Sequence, residues 1–354
     1  MDSTTVQFLL DRYKPVFYLF SKEKYKPSSM EYLLLNANLV ENAVIAKDAD
    51  GKDLIKDGVI TVSSPNVTNA LLYDLSKGKY QGQTGLKTVY LDFPERVMYG
   101  ESDVSRVPIY GLVRDKGSYI ELIYILNFPY NGPFNVLNSQ KTGVHWGDLE
   151  HITILLNKPT DGSLNDIQQV MFGAHGSADG RWVKKSDLTL TDDGKIVVFV
   201  ADHSHALYHK PRMVFRLGGV ANDYTDYGIK WEPPYVQALY FDNDPNFNKD
   251  TMGWIYFAGR IGYDGISSLV DKYWFSQGEP LPEQKPLSSP PIIDRKSATV
   301  YYFIVAAVIV AAAYGIVKLG FYQKRIDPDI YFAIVVALFI IGYDRLRYII
   351  RVVS

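Results

Sequence analysis

From the N-terminus to about residue 278, short apolar runs alternate with clusters of Gly, Pro, Asn and Asp. The runs are GVITVSS, KTVYLDF, RVPIYGLVRD, YIELIYILNF, HITILLN, IQQVMFGA, KIVVFVAD, MVFRLGG and WIYFAGRIG. Each is too short for a typical helix and is bounded by turn formers, so each predicts a strand. Many short strands with frequent turns predict an all-β fold, antiparallel and β-sandwich-like, with a few short helices. Helical spacing is confined to Thr5 to Arg12, SSMEYLLLNANLV and the stretch near Thr68 to Lys77. The chain shows no internal repeat.

The pattern changes near the C-terminus. Ser297 to Val317 is 21 residues without a charge, bracketed by Lys296 and Lys318. That is about the length a helix needs to cross ~30 Å of hydrocarbon, and Tyr301, Tyr302 and Tyr314 near its ends suit the interface. A second apolar run, Ile330 to Tyr343, is followed by Asp344, Arg345 and LRYIIRVVS. It predicts a second transmembrane or re-entrant helix over 330–353, with Pro328 in its first turn and Asp327 as its cap. The expected organisation is a β-rich globular domain over 1–278 and a Pro- and Ser-rich tether over 279–296. A first transmembrane helix over 297–317, a connector over 318–329 and the second apolar helix complete a hairpin. Basic residues at the hairpin's outer ends outnumber those in the connector, five to three, which places the globular domain on the cytoplasmic side. The opening MDSTTVQFLLDRYKPV lacks the basic and apolar regions of a signal peptide.

Composition narrows the chemistry. The 354 residues contain no cysteine, so a disulfide framework, a thiolate metal site and a cysteine nucleophile are excluded. A formal net charge of -2 gives no electrostatic footprint for nucleic acid, and none is expected as a partner. The 27 Tyr and 17 Phe favour pleated surfaces.

All six histidines fall between His145 and His209. In VHWGDLEHITILL, the even positions Asp148, Glu150, Ile152, Ile154 and Leu156 share one face if the segment is a strand. Two carboxylates at the mouth of an apolar face need compensation, by a divalent cation or by arginine, lysine or histidine partners. His145 lies just upstream, FGAHGSADGRW ends a strand at His175, and KIVVFVADHSHALYH ends one at Asp202, His203 and His205. The candidate metal ligands are therefore His145, Asp148, Glu150, His175 and His205, for Mg, Ca or Zn.

These same segments resemble the vacuolar protein sorting-associated protein 62 family. GDLEHITILL, FGAHGSADGRW and VVFVADHSHALYHKP follow that family's Gly-Asp-Trp-Glu-His strand, Ala-His-Gly turn and Ser-His-Ala-x-Tyr strand end, in order. The matching residues are Gly147, Asp148, Glu150 and His151; Ala174, His175 and Gly176; and Ser204, His205, Ala206 and Tyr208. The opening matches through Tyr13, Pro15, Glu23, Tyr25 and Pro27, so the resemblance covers about residues 10–235. Leu149 stands where the family has Trp, with Trp146 three positions earlier. The spacing of His145, Asp148 and Glu150 is also similar, over a short stretch, to the necrosis-inducing, cytolysin-like proteins. That second resemblance implies a β-sandwich holding a divalent cation used at lipid head groups.

HExxH, GxSxG and P-loop motifs are all missing, and GVANDYTDYG lacks EF-hand spacing. The expectation is a non-catalytic scaffold linking a bilayer to a protein layer. Its setting is either a cellular endomembrane, as a sorting protein, or the internal membrane of a virion, as a minor capsid protein. Its expected partners are the bilayer, through the hairpin, and proteins of a capsid or trafficking complex. The alternative is a metal-dependent hydrolase or lipid-head-group binder at the His/Asp/Glu rim, and a cytolysin-like activity is the third reading.

Overall fold

The structure is a computed structural model. It describes residues 1–262 apart from 48–52, 57, 84–85, 137–138, 143, 159–165, 175–179 and 215–221, and beyond them only 292–293 and 315. The chain divides into two compact units. The larger takes Met1–Gly132, Gly143–Lys210 and Thr225–Ser289; the smaller takes Pro133–Thr142, Pro211–Tyr224 and Pro290–Ser354. The smaller unit holds a hairpin of Phe134–Val136 with Ser139–Thr142. In it Met213–Val214 also pairs antiparallel with both Asp223–Tyr224 and Ile292–Ile293.

The larger unit is built on a six-stranded sheet ordered Arg181–Lys184, Ile167–Phe172, His145–Asn157, Tyr119–Asn131, Ile109–Asp115, Val236–Ala238. Two 13-residue strands, Tyr119–Asn131 and His145–Asn157, form its antiparallel centre. Both faces of this sheet are buried, which is why YIELIYILNF is a continuous apolar run and not an alternation. On one face, Leu122, Tyr124, Leu126, Phe128, Ile152, Ile154 and Leu156 meet Phe17, Val198, Val200 and Trp231. Those last four come from a second sheet ordered Leu207–Tyr208, Val197–Val200, Val16–Leu19, Ile229–Trp231. On the other face, Ile123, Ile125, Leu112 and Trp146 meet Leu39 and Leu91, from a third sheet containing Asn38–Glu41 and Tyr90–Asp92. Each fully buried aliphatic or aromatic side chain contributes roughly 1.5–3 kcal/mol, so these two cores carry the unit's stability.

The helices are short and capped by their own sequence. Asp2, Ser29 and Thr68 accept the N–H of Thr5, Tyr32 and Leu71, opening Ser3–Arg12, Met30–Leu35 and Asn69–Lys77. The first helix buries Val6, Leu9 and Leu10. Tyr124 donates its hydroxyl to the Leu10 carbonyl at 2.9 Å. Gly111 lies beneath, where a Cβ would stand 2.6 Å from Leu10 Cδ2.

The fold is β-rich with a few short helices, as the pattern predicts, but it is not wholly antiparallel. Val16–Leu19 pairs parallel with Val197–Val200, Val236–Ala238 with Ile109–Asp115, and Arg260–Ile261 with Tyr90–Asp92. Parallel partners need a long connection, and all three pairs are far apart in sequence, beyond the reach of turn-based inference. WIYFAGRIG also differs from the expected strand. Gly253–Tyr256 forms a 3-10 turn, and only Arg260–Ile261 is extended.

The expected apolar helices over 297–317 and 330–353 lie outside the described residues, Gly315 excepted. Among the described residues, no helix is long and apolar enough to cross a membrane.

Candidate functional site

The parallel pair Val16–Leu19 and Val197–Val200 sets the geometry. Leu19 lies beside Val200, so both chains leave the sheet at the same end. Four residues beyond Leu19 comes Glu23; two and three beyond Val200 come Asp202 and His203. Residues 180 apart in sequence therefore meet.

The segment Ala201–Ala206 is a tight connection between Val197–Val200 and Leu207–Tyr208, closed by Ala201 N–H to the Ala206 carbonyl at 2.9 Å. It places two histidines in the left-handed region, His203 at φ 63° and His205 at φ 53°. Histidine is among the few non-glycine residues that adopt this conformation with any frequency. The two consecutive reversals send the side chains to different neighbours.

Glu23 is buried and clamps the connection. Its Oε1 accepts the Tyr25 N–H at 2.8 Å, and its Oε2 accepts the His203 N–H at 2.7 Å. One oxygen each of Glu23 and Asp202 and one ring nitrogen of His203 all lie within 4.8 Å of one another. His203 Nε2 stands 3.6 Å from Asp202 Oδ2.

His205 is fully buried. Its ring lies flat on Phe128, centroids 3.8 Å apart and planes 5° apart. Nδ1 is 2.8 Å from Asp148 Oδ2, and Nε2 is 3.1 Å from the Tyr25 carbonyl oxygen. Both ring nitrogens thus lie within hydrogen-bonding distance of an oxygen. Asp148 also has His145 Nε2 3.7 Å from its Oδ1. Burial pushes the Asp148 carboxyl up, but the bonds from His145 and His205 outweigh it and hold it well below the usual carboxylate range.

A single glycine arranges this grouping. Gly147 has φ +64°, opposite Pro129 in the neighbouring strand. The reversal breaks the alternation, so Trp146 packs into one core while Asp148 faces the side of Phe128 and the other core. His145 is thereby brought to Asp148.

Of the five residues singled out by sequence, His145, Asp148 and His205 are brought together. Glu150 shares the strand of His145 and Asp148, but its Oε2 lies beside Gly173, 3.4 Å from where a Cβ there would stand. His175 lies outside the described residues. In the sequence Glu23 stands out only as part of the family's opening, and Asp202 and His203 only as a polar strand end. Periodicity carries no signal for a contact made across two chain reversals.

An aromatic wall flanks the cluster. Tyr25 stacks on Tyr99 at 5.9 Å and contacts Tyr130 at 5.1 Å and His203 at 5.7 Å between ring centroids.

A model of the vacuolar protein sorting-associated protein 62 family matches residues 1–232, and the chain belongs to that family. The match contains every residue of the cluster. No curated protein matches the chain. Three solved structures resemble it loosely. NLPPya in complex with mannosamine shares 13% identity over 67% of this chain and 73% of that one, with a TM-score of 0.33. The non-toxic HaNLP3 protein shares 14% over 68% and 80%, with a TM-score of 0.31. A structure described as a toxin fold for microbial attack and plant defense shares 11% over 67% and 74%, with a TM-score of 0.34. Superpositions this loose carry no argument about the site.

Proposed function

We propose that the chain is a non-catalytic, membrane-tethered protein of the endomembrane system that links a bilayer to a protein layer. The observation that carries this is the uncharged 21-residue run Ser297–Val317, long enough to span as a helix and joined to the family domain by a Pro- and Ser-rich segment. Membership of a vacuolar sorting-associated family favours the cellular setting over a virion. A non-catalytic role is supported by His205, the most buried of the described histidines, whose two ring nitrogens are both engaged within the protein. A general base needs a nitrogen lone pair facing substrate, and this ring offers none.

The test is alkaline carbonate extraction of membranes from cells producing either the full chain or a chain ending at Lys296. The full chain is expected in the pellet and the shortened chain in the supernatant. Release of the full chain, or retention of the shortened one, overturns anchoring by the hairpin. Organelle fractionation then assigns the membrane.

A further inference from the structure

We infer that Glu23, Asp202 and His203 form a divalent-cation site, with the Asp148–His205 pair as its outer brace and not among its ligands. This is independent of the membrane tether.

The spacing of the three side chains is that of a ligand set. His203 Nε2 and Asp202 Oδ2 are 3.6 Å apart, too far for a hydrogen bond. Two donors sharing one ion at about 2.1 Å lie about 3.0 Å apart in octahedral geometry and about 3.4 Å in tetrahedral geometry. With Glu23, the three donor atoms lie within 4.8 Å of one another, near the width of one coordination shell.

Each carboxylate oxygen of Glu23 accepts one backbone N–H, one from Tyr25 and one from His203. A carboxylate oxygen has two acceptor positions, so each keeps one for a ligand while its orientation is fixed. Two carboxylates are drawn together in a place where Glu23 and Asp202 are only 5% and 8% exposed. A cation between them offsets both their repulsion and their loss of water. The His203 side chain is 15% exposed, which leaves the third ligand a route to solvent.

His205 cannot join this set while its two ring nitrogens are engaged by Asp148 and the Tyr25 carbonyl. It acts one layer out. By holding the Tyr25 carbonyl it fixes the residue whose N–H orients Glu23. One imidazole and two carboxylates favour Zn²⁺ or Mn²⁺ over Ca²⁺, which prefers oxygen donors throughout.

The deciding experiment titrates the metal-stripped, detergent-solubilised full chain with Zn²⁺ and with Mn²⁺ by calorimetry. Its variants are His203→Asn, Asp202→Asn, and the control Glu150→Gln. Asparagine tolerates the left-handed backbone at 203, so His203→Asn keeps the fold if Asp202→Asn does not. The expected result is one equivalent bound by the native chain, affinity at least tenfold weaker in His203→Asn, and no change in the control. Co²⁺ bound to the native chain should show visible bands that shift in His203→Asn. Absence of binding, unchanged affinity in His203→Asn, or loss only in the control overturns the site.

Discussion

Phe128 and Asp148 sit directly opposite each other in the two central strands, and His205 occupies the angle between them. Its ring lies flat on the Phe128 ring while its Nδ1 bonds the Asp148 carboxylate. One cross-strand pair thus supplies both an apolar floor and a charge partner for a fully buried imidazole. The energetic consequences follow from how little water reaches this pair.

Replacing His205 by Ala removes the partner of a buried carboxylate and places Ala at a positive φ. A loss of about 3–5 kcal/mol is expected. Urea unfolding measures it, and a loss under about 1 kcal/mol would show that water or a neighbour replaces the imidazole.

The depressed Asp148 carboxyl also fixes the sign of the acid response. Below the ordinary value of 3.8 the unfolded chain takes up a proton that the folded chain still refuses. Stability from this group is therefore complete above the unfolded pKa and is lost as pH falls through the folded one. Urea midpoints between about pH 6 and about pH 2 should fall steeply in the native chain and less so in Asp148→Asn. Equal slopes would remove Asp148 as the source.

Gly147→Ala should be costly for two reasons. Its backbone is left-handed at φ +64°, and a Cβ would stand 2.7 Å from Ile261 Cγ2. A loss of about 2–4 kcal/mol is expected. The adjoining Trp146 should report it, through a shift in tryptophan emission and near-ultraviolet circular dichroism.

Tyr110 reaches across the larger unit's second core to accept the Met30 N–H at 2.6 Å, at the start of the helix Met30–Leu35. Burial pushes its hydroxyl far above the usual tyrosine range, so it stays protonated. Tyr110→Phe leaves a buried N–H without its acceptor and should cost about 1–3 kcal/mol. Ser29→Ala, which removes the ordinary cap on Tyr32, should cost about 1 kcal/mol. Thermal melts of both variants compare the two caps directly.

Much of the local structure is legible along the chain. The helices Ser3–Arg12, Met30–Leu35 and Asn69–Lys77 each fall on a stretch marked by its helical spacing, because an apolar stripe needs only local sequence. Ile152, Ile154 and Leu156 reach one core together because a strand repeats every two residues. That rule fails at Trp146, which is also even-numbered and lies in the other core. A glycine's φ is not written in the alternation. Val16–Leu19 lies outside the apolar runs that predict strands.

The sequence by itself determined the β-rich class, three short helical stretches, the buried faces of the central strands and the uncharged run at 297–317. Each follows from local chemistry, namely hydrophobic spacing, turn formers and charge. Only the tertiary structure decided that Glu23 lies against Asp202 and His203. That contact depends on Val16–Leu19 choosing Val197–Val200 as a parallel neighbour, a choice made by packing across the first core. Nearest-neighbour preferences along the chain contain no term for it, because the entropy of closing so long a connection is offset only when the whole core forms.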